Sequence, residues 1–123
     1  MKIGIIGSRG FDNYELLKVI MNEYIDKVDV IVSGGAKGAD KLGERWASEN
    51  GKSCLLFLPE WNKYGKGAGF IRNKDIVKNS ELVLAFWDGV SKGTQSSIDL
   101  CKKYGIPVKI INYNELEINR PRD

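Results

Sequence analysis

The sequence predicts an α/β protein: a doubly wound, mainly parallel five-stranded sheet flanked by helices. Three observations carry this. Short apolar runs alternate with longer stretches whose apolar residues recur every three or four positions. The runs end in glycine-rich or polar turns before the next helical pattern opens. A repeated strand–loop–helix order sets parallel strands side by side through right-handed crossovers.

Lys2–Ile6 reads as a first buried strand, running into Gly7-Ser8-Arg9-Gly10. Asp12 or Asn13 can cap a helix over Tyr14–Ile25, with Leu16, Leu17, Ile20, Tyr24 and Ile25 on its apolar face. Val28–Ser33 is a second strand, stopped abruptly at Ser33-Gly34-Gly35. A helix follows from about Lys37 to Asn50, with Ala39, Leu42 and Trp46 facing the core and Gly51 as its stop. Ser53–Leu58 is a third strand, ended by Pro59. Glu60–Gly67 is a polar, aromatic loop, and Ala68–Asn79 is helical. Glu81–Phe86 is the fourth strand, and Thr94–Tyr104 is a helix stopped at Gly105. Ile106–Ile111 is a fifth strand whose Pro107 suits an edge or a strand start. Residues 1–112 form one domain, and 113–123 read as a polar C-terminal tail.

A chain of 123 residues, 42% hydrophobic and 28% charged, has the make-up of an ordinary soluble domain with a proper core. The net charge of +3 is too weak to argue for nucleic acid by itself. No apolar run approaches the roughly 18 residues of a membrane span, and the first residues do not read as a signal peptide, so a cytoplasmic protein is expected. The absence of histidine excludes Ser-His-Asp and Cys-His catalysis and histidine-ligated metals. Cys54 and Cys101 have no metal-ligand spacing and read as buried small apolar residues; no metal and no cofactor is expected.

Three strand-to-loop junctions could hold an anion. Gly7-Ser8-Arg9-Gly10 follows the first strand, and Arg9 supplies a guanidinium that forks onto phosphate. Ser33-Gly34-Gly35-Ala36-Lys37-Gly38 follows the second and runs into a helix N-terminus. Asp88-Gly89-Val90-Ser91-Lys92-Gly93 follows the fourth, and Thr94 opens the next helix. In a doubly wound sheet these loops should meet beyond the carboxyl ends of the strands, where the strand order reverses. Gly89-Val90-Ser91-Lys92-Gly93 also matches a nucleophile elbow, yet without histidine Ser91 has only Lys92 for a base. Ser91 reads better as a helix cap or a phosphate ligand. Neither a P-loop nor G-x-G-x-x-G occurs. Asp40, in the first turn of its helix, either answers the helix dipole or reaches ribose hydroxyls. Glu44 reads as surface or a helix salt-bridge partner. Trp61 and Tyr64, among Lys63 and Lys66, could stack on a base or pin their loop to the body.

Gly7-Ser8-Arg9, SGGAKGAD (Ser33–Asp40), Trp61 through Lys66, AGFIRN (Ala68–Asn73) and FWDGVSKGT (Phe86–Thr94) occur in that order. Together they resemble the YspA-like branch of the SLOG superfamily, named for the Smf/DprA and Lonely-Guy proteins. The resemblance implies a Rossmann-like fold and a site for nucleotide-derived ligands such as ADP-ribose, NAD-like molecules or nucleoside phosphates. Lonely-Guy enzymes cleave the base–ribose bond of a nucleoside monophosphate with a helix arginine and a glutamate after a Gly-Thr phosphate loop. Arg72 stands where that arginine is expected, and Gly93-Thr94 matches the loop. Gln95, Ser96 and Ser97 follow, with no glutamate; Asp40 or Asp88 would have to supply the carboxylate. The SGGAKGAD stretch also resembles DprA, which loads single-stranded DNA, but the modest charge does not favour nucleic acid here. The superfamily often dimerises, so a homodimer is within its range.

The leading expectation is therefore a protein that senses or sequesters a nucleotide-derived ligand. Backbone N–H groups of Gly34, Gly35, Ala36 and Gly38 and of Gly89, Ser91, Gly93 and Thr94 would hold phosphates. Ser8, Arg9 and Arg72 would add hydrogen bonds and charge, and Gly7, Ser33 and Asp88 complete the expected ligand-binding set. Asp40 would contact ribose, Trp61 or Tyr64 would stack on the base, and Arg72 and Asn73 would add polar contacts. The second reading is an N-glycosidase using Arg72 and Asp40 in the same pocket. The third is a single-stranded DNA binder using Lys63, Lys66 and the aromatics.

Overall fold

A computed structural model describes residues 1–114. Five strands, β1 (Lys2–Gly7), β2 (Val30–Ser33), β3 (Ser53–Leu56), β4 (Leu82–Trp87) and β5 (Val108–Asn112), form one sheet. Their order is β3-β2-β1-β4-β5 and every pairing is parallel, the doubly wound Rossmann-like arrangement. The helices are α1 (Tyr14–Asn22), α2 (Ala39–Glu49), α3 (Trp61–Tyr64), α4 (Ala68–Lys78) and α5 (Lys92–Tyr104), with a 3₁₀ turn at Gly65–Gly67.

Side-chain alternation along the central strands builds two cores. Ile3, Ile5, Ile31, Leu84 and Phe86 point to one face and pack on Tyr14, Leu17 and Met21 of α1 and Trp46 of α2. Ile6, Val32, Val83 and Ala85 point to the other and pack on Ile76 and Val77 of α4 and Ile98 and Cys101 of α5. β1, β2 and β4 are buried on both sides, as their near-continuous apolar runs require.

Local chemistry sets the element ends. The Asn13 carboxamide oxygen accepts from the Leu16 N–H and starts α1. Gly105, left-handed at φ +68°, stops α5. At the end of α4 the buried Ser80 hydroxyl donates to the Ile76 carbonyl at 2.7 Å, satisfying one of the helix's orphan acceptors. Ser80→Ala is expected to lower stability by about 1 kcal/mol, read as a shift in the urea midpoint at constant slope.

Several expectations need correction. α2 begins at Ala39 rather than Lys37, because Gly38 stays outside the helix at φ +84°, ψ −129°. α5 begins two residues before Thr94, and Trp61–Tyr64 is a short helix rather than plain loop. Cys101 is buried, but Cys54 is exposed: it lies on the edge strand β3, which has only one neighbour and leaves its side chains largely uncovered. At the start of the stretch read as a tail, Tyr113 is buried against Phe11, their rings 4.8 Å apart. Asn114 donates to the Asp88 carbonyl at 3.1 Å. The remainder, 115–123, lies outside the described residues.

Candidate functional site

Strand order reverses between β1 and β4. The chain leaves β1 toward α1 on one face and leaves β4 toward α5 on the other. The diverging connections open a cleft of about 440 Å³ at the carboxyl ends of the strands. Ser8, Arg9 and Gly10 line it from the first loop, and Ala36 and Asp40 from the second. Arg72, Asn73 and Ile76 of α4 form one wall; Asp88, Ser91, Gly93, Thr94 and Ser97 form another.

The first and fourth loops are tied together. The Ser8 N–H donates to the Phe86 carbonyl at 3.0 Å, and the Asp88 N–H donates to Ser8 Oγ at 3.1 Å. One Asp88 oxygen, Oδ1, takes the N–H groups of Val90 and Ser91 at 2.9 and 2.7 Å. These bonds, that from Val90 foremost, hold the Asp88 carboxyl below its ordinary pKa. Ser91 occupies the cap position of α5, yet its side chain makes no cap bond; its hydroxyl lies 3.3 Å from that of Thr94. The first intrahelical bond runs from the Gln95 N–H to the Ser91 carbonyl. The N–H groups of Lys92, Gly93 and Thr94 precede it, at the positive end of a 13-residue helix.

The second loop is used differently. Asp40 turns back, and a single oxygen, Oδ2, accepts from the Gly34 N–H at 3.1 Å and the Ala36 N–H at 3.3 Å. The Gly35 N–H donates to Ser33 Oγ at 3.3 Å, and that hydroxyl lies 3.0 Å from Glu44 Oε2. The Gly34, Gly35 and Ala36 amides are therefore occupied within the loop. This corrects the picture of Gly34 and Gly35 presenting N–H groups to an anion. Neither they nor Ser33, Gly38 or Gly89 lines the cleft. Gly34 has another use: a Cβ there would sit 2.5 Å from Arg72 Nη1. Its lack of a side chain lets Arg72 lie across the loop and donate to the Gly34 carbonyl at 2.8 Å. Arg72 Nε also donates to Asn73 Oδ1 at 2.8 Å.

Burial raises the Asp40 carboxyl to a pKa of about 6, against the pull of the Ala36 N–H, the Arg72 charge and the Gly34 N–H. Burial likewise lowers the Arg72 pKa, with Arg9 adding to the effect and Asp40 opposing it. Arg9 is exposed at the rim and, among the described residues, enters no salt bridge. Trp61 and Tyr64, 55% and 40% exposed, are on α3 and do not line the cleft. Sequence reasoning missed Ser97 and Ile76. The signal was helical spacing: Ser97 is three residues beyond Thr94, and Ile76 four beyond Arg72.

Among known proteins, the model of the YspA, cpYpsA-related SLOG family matches residues 1–64. The chain belongs to that SLOG family. Gene 61 protein of Mycobacterium phage D29 is 38% identical over 92 residues, which span 70% of this chain and 72% of the phage protein. The SLOG chain also shares its fold with solved structures. DNA processing protein A (DprA) from Streptococcus pneumoniae superposes with a TM-score of 0.75 at 18% identity, covering 96% of this chain. The chain spans just over half, 56%, of that DprA. DprA from Helicobacter pylori, solved for its single-stranded DNA binding mode, gives 0.72 at 22% identity and covers 96% of this chain and 72% of its own. TM1055, a structural genomics target, gives 0.65 at 20% identity over 87% of this chain and 71% of its own. Among the described residues no helix is long and apolar enough to cross a membrane, and no cluster of acidic or sulfur ligands could hold a metal ion.

Proposed function

We propose that this SLOG domain binds a small phosphorylated, nucleotide-derived ligand in the cleft and senses or sequesters it. One observation carries the reading: the N-terminus of α5 faces a cleft that also receives Arg9 and Arg72. Free helix N–H groups, the Ser91 and Thr94 hydroxyls and two guanidinium groups make a cradle for phosphate. Asn73 and Asp40 supply polar contacts for a sugar. Both cleft carboxylates already brace loops, Asp40 the second and Asp88 the fourth, so neither stands free as a nucleophile.

Arg9→Ala is the cleanest test, because Arg9 is exposed at the rim and pairs with no carboxylate among the described residues. Calorimetric titration with ADP-ribose and AMP is expected to show binding weakened about tenfold in the variant, with the unfolding midpoint unchanged. Equal affinity in both proteins would defeat the reading.

A second reading, cleavage of the base–ribose bond, has one observation in its favour. Asp40, with a pKa of about 6, is partly protonated near neutrality and could act as a general acid. Release of free base from a nucleoside monophosphate, lost in Asp40→Asn, would establish it. Binding of single-stranded DNA with a steep salt slope would instead place the chain beside DprA in function as well as fold.

A further inference from the structure

A second concavity adjoins the cleft at the first turn of α5. It is a groove of about 560 Å³, within the range of small-molecule sites, roughly 300–1,000 Å³. The stretch from Asp88 to Ser97 serves both. Asp88, Ser91, Gly93, Thr94 and Ser97 line the cleft, whereas Gly89, Val90, Lys92, Gln95 and Ser96 line the groove. On α4, Asn73 lines the cleft and Phe70, one turn earlier, lines the groove. Gly93 stands between the two: its neighbour Lys92 is on the groove side, and a Cβ added to Gly93 would meet nothing within 4 Å.

The side chains of the groove suit a flat ring. Trp87 is half-buried, and its indole N–H donates to the Ser91 carbonyl at 3.0 Å, which satisfies its one polar atom and fixes the ring. Phe70 is 53% exposed and has no ring partner among the described residues. Val90 and Leu100 add apolar surface, and Gln95 and Asp99, joined at 2.9 Å, give a polar rim. The cleft, by contrast, is lined by no aromatic side chain among the described residues. Lys92, exposed beside Gly93, enters no salt bridge among the described residues and can add charge where the two spaces meet. We infer that cleft and groove are two halves of one site: phosphates rest on the first turn of α5, and an aromatic base stacks in the groove against Trp87 and Phe70. This rests on the phosphate reading above and narrows the ligand. Its base and a sugar stand on opposite sides of its phosphates, as in a nucleoside diphosphate sugar, with the sugar toward Asp40 and Asn73.

Calorimetric titration with ADP-ribose and with ribose 5-phosphate, which lacks a base, separates the two halves. Phe70→Ala is expected to weaken ADP-ribose about tenfold and to leave ribose 5-phosphate unchanged, with unaltered circular dichroism. Ser96→Trp, which fills the groove from α5, should do the same and carries the test if Phe70→Ala does not fold. Arg9→Ala should weaken both compounds. If both groove variants bind ADP-ribose like wild type while Arg9→Ala weakens it, the groove inference falls and the phosphate reading stands. If wild type binds neither compound, both fall. A groove variant that changes the sedimentation coefficient but not the affinity would make the groove a protein contact and overturn the inference.

Discussion

Gly38→Ala is expected to cost about 3–5 kcal/mol, a large share of the stability of a domain this size. Gly38 sits at φ +84°, where L side chains rarely go, and a Cβ there would lie 2.3 Å from the Ser8 carbonyl oxygen and 2.8 Å from that of Arg9. Both obstacles are backbone, so neither can swing aside. Gly35 is the internal comparison. It too has a positive φ, +71°, but its Cβ would meet only Cδ2 of Leu58, the end of an exposed side chain. Gly35→Ala should cost only about 1 kcal/mol. Urea titrations of the two variants against wild type measure the difference. Equal losses would mean that backbone strain, rather than the contact between the first and second loops, governs this corner.

Asp40→Asn is expected to change the pH dependence of stability by about 3 kcal/mol. The Asp40 carboxyl rises from 3.8 to about 6 on folding, mainly through burial. Between those values the folded state holds a proton that the unfolded state has lost. Stability attributable to Asp40 is therefore full below about pH 4 and falls as pH climbs through 6. Asparagine keeps an oxygen for the Gly34 and Ala36 N–H groups and carries no charge to bury. Unfolding free energies at pH 4 and pH 7 should thus show Asp40→Asn gaining on wild type as pH rises. A constant gap across that range would mean that Arg72 and the two amides offset burial in full.

Much of this fold is legible from alternation and punctuation. The runs at Lys2–Ile6, Val28–Ser33 and Glu81–Phe86 are apolar on both faces because central strands are covered on both sides. The same logic misled at Ser53–Leu58, an equally apolar run on an edge. Composition reports that a strand can be buried, whereas its place in the sheet decides whether it is. At the site, glycine loops after strands point to the cleft, since topology alone delivers them there. Which amides remain free was not legible. The use of Asp40 to satisfy its own loop depends on a reversal at Gly38 that spacing does not encode. Cleft walls such as Ser97 belong to helix flanks, where only the helical spacing from a loop residue such as Thr94 marks them.

The pairing of β1 with β4 has a consequence for how the protein comes into being. Ile3 aligns with Leu82, so the middle of the sheet closes only across some eighty residues of intervening chain. Such long-range pairing is slow relative to helix or hairpin formation. On the ribosome β1 can dock early with β2, whose Val30 lies beside Lys2. The cleft at the carboxyl ends of the strands has no second side until β4 and α5 have emerged. The binding proposed for this cleft would thus be acquired late and all at once, and a bound ligand would report on completed molecules alone.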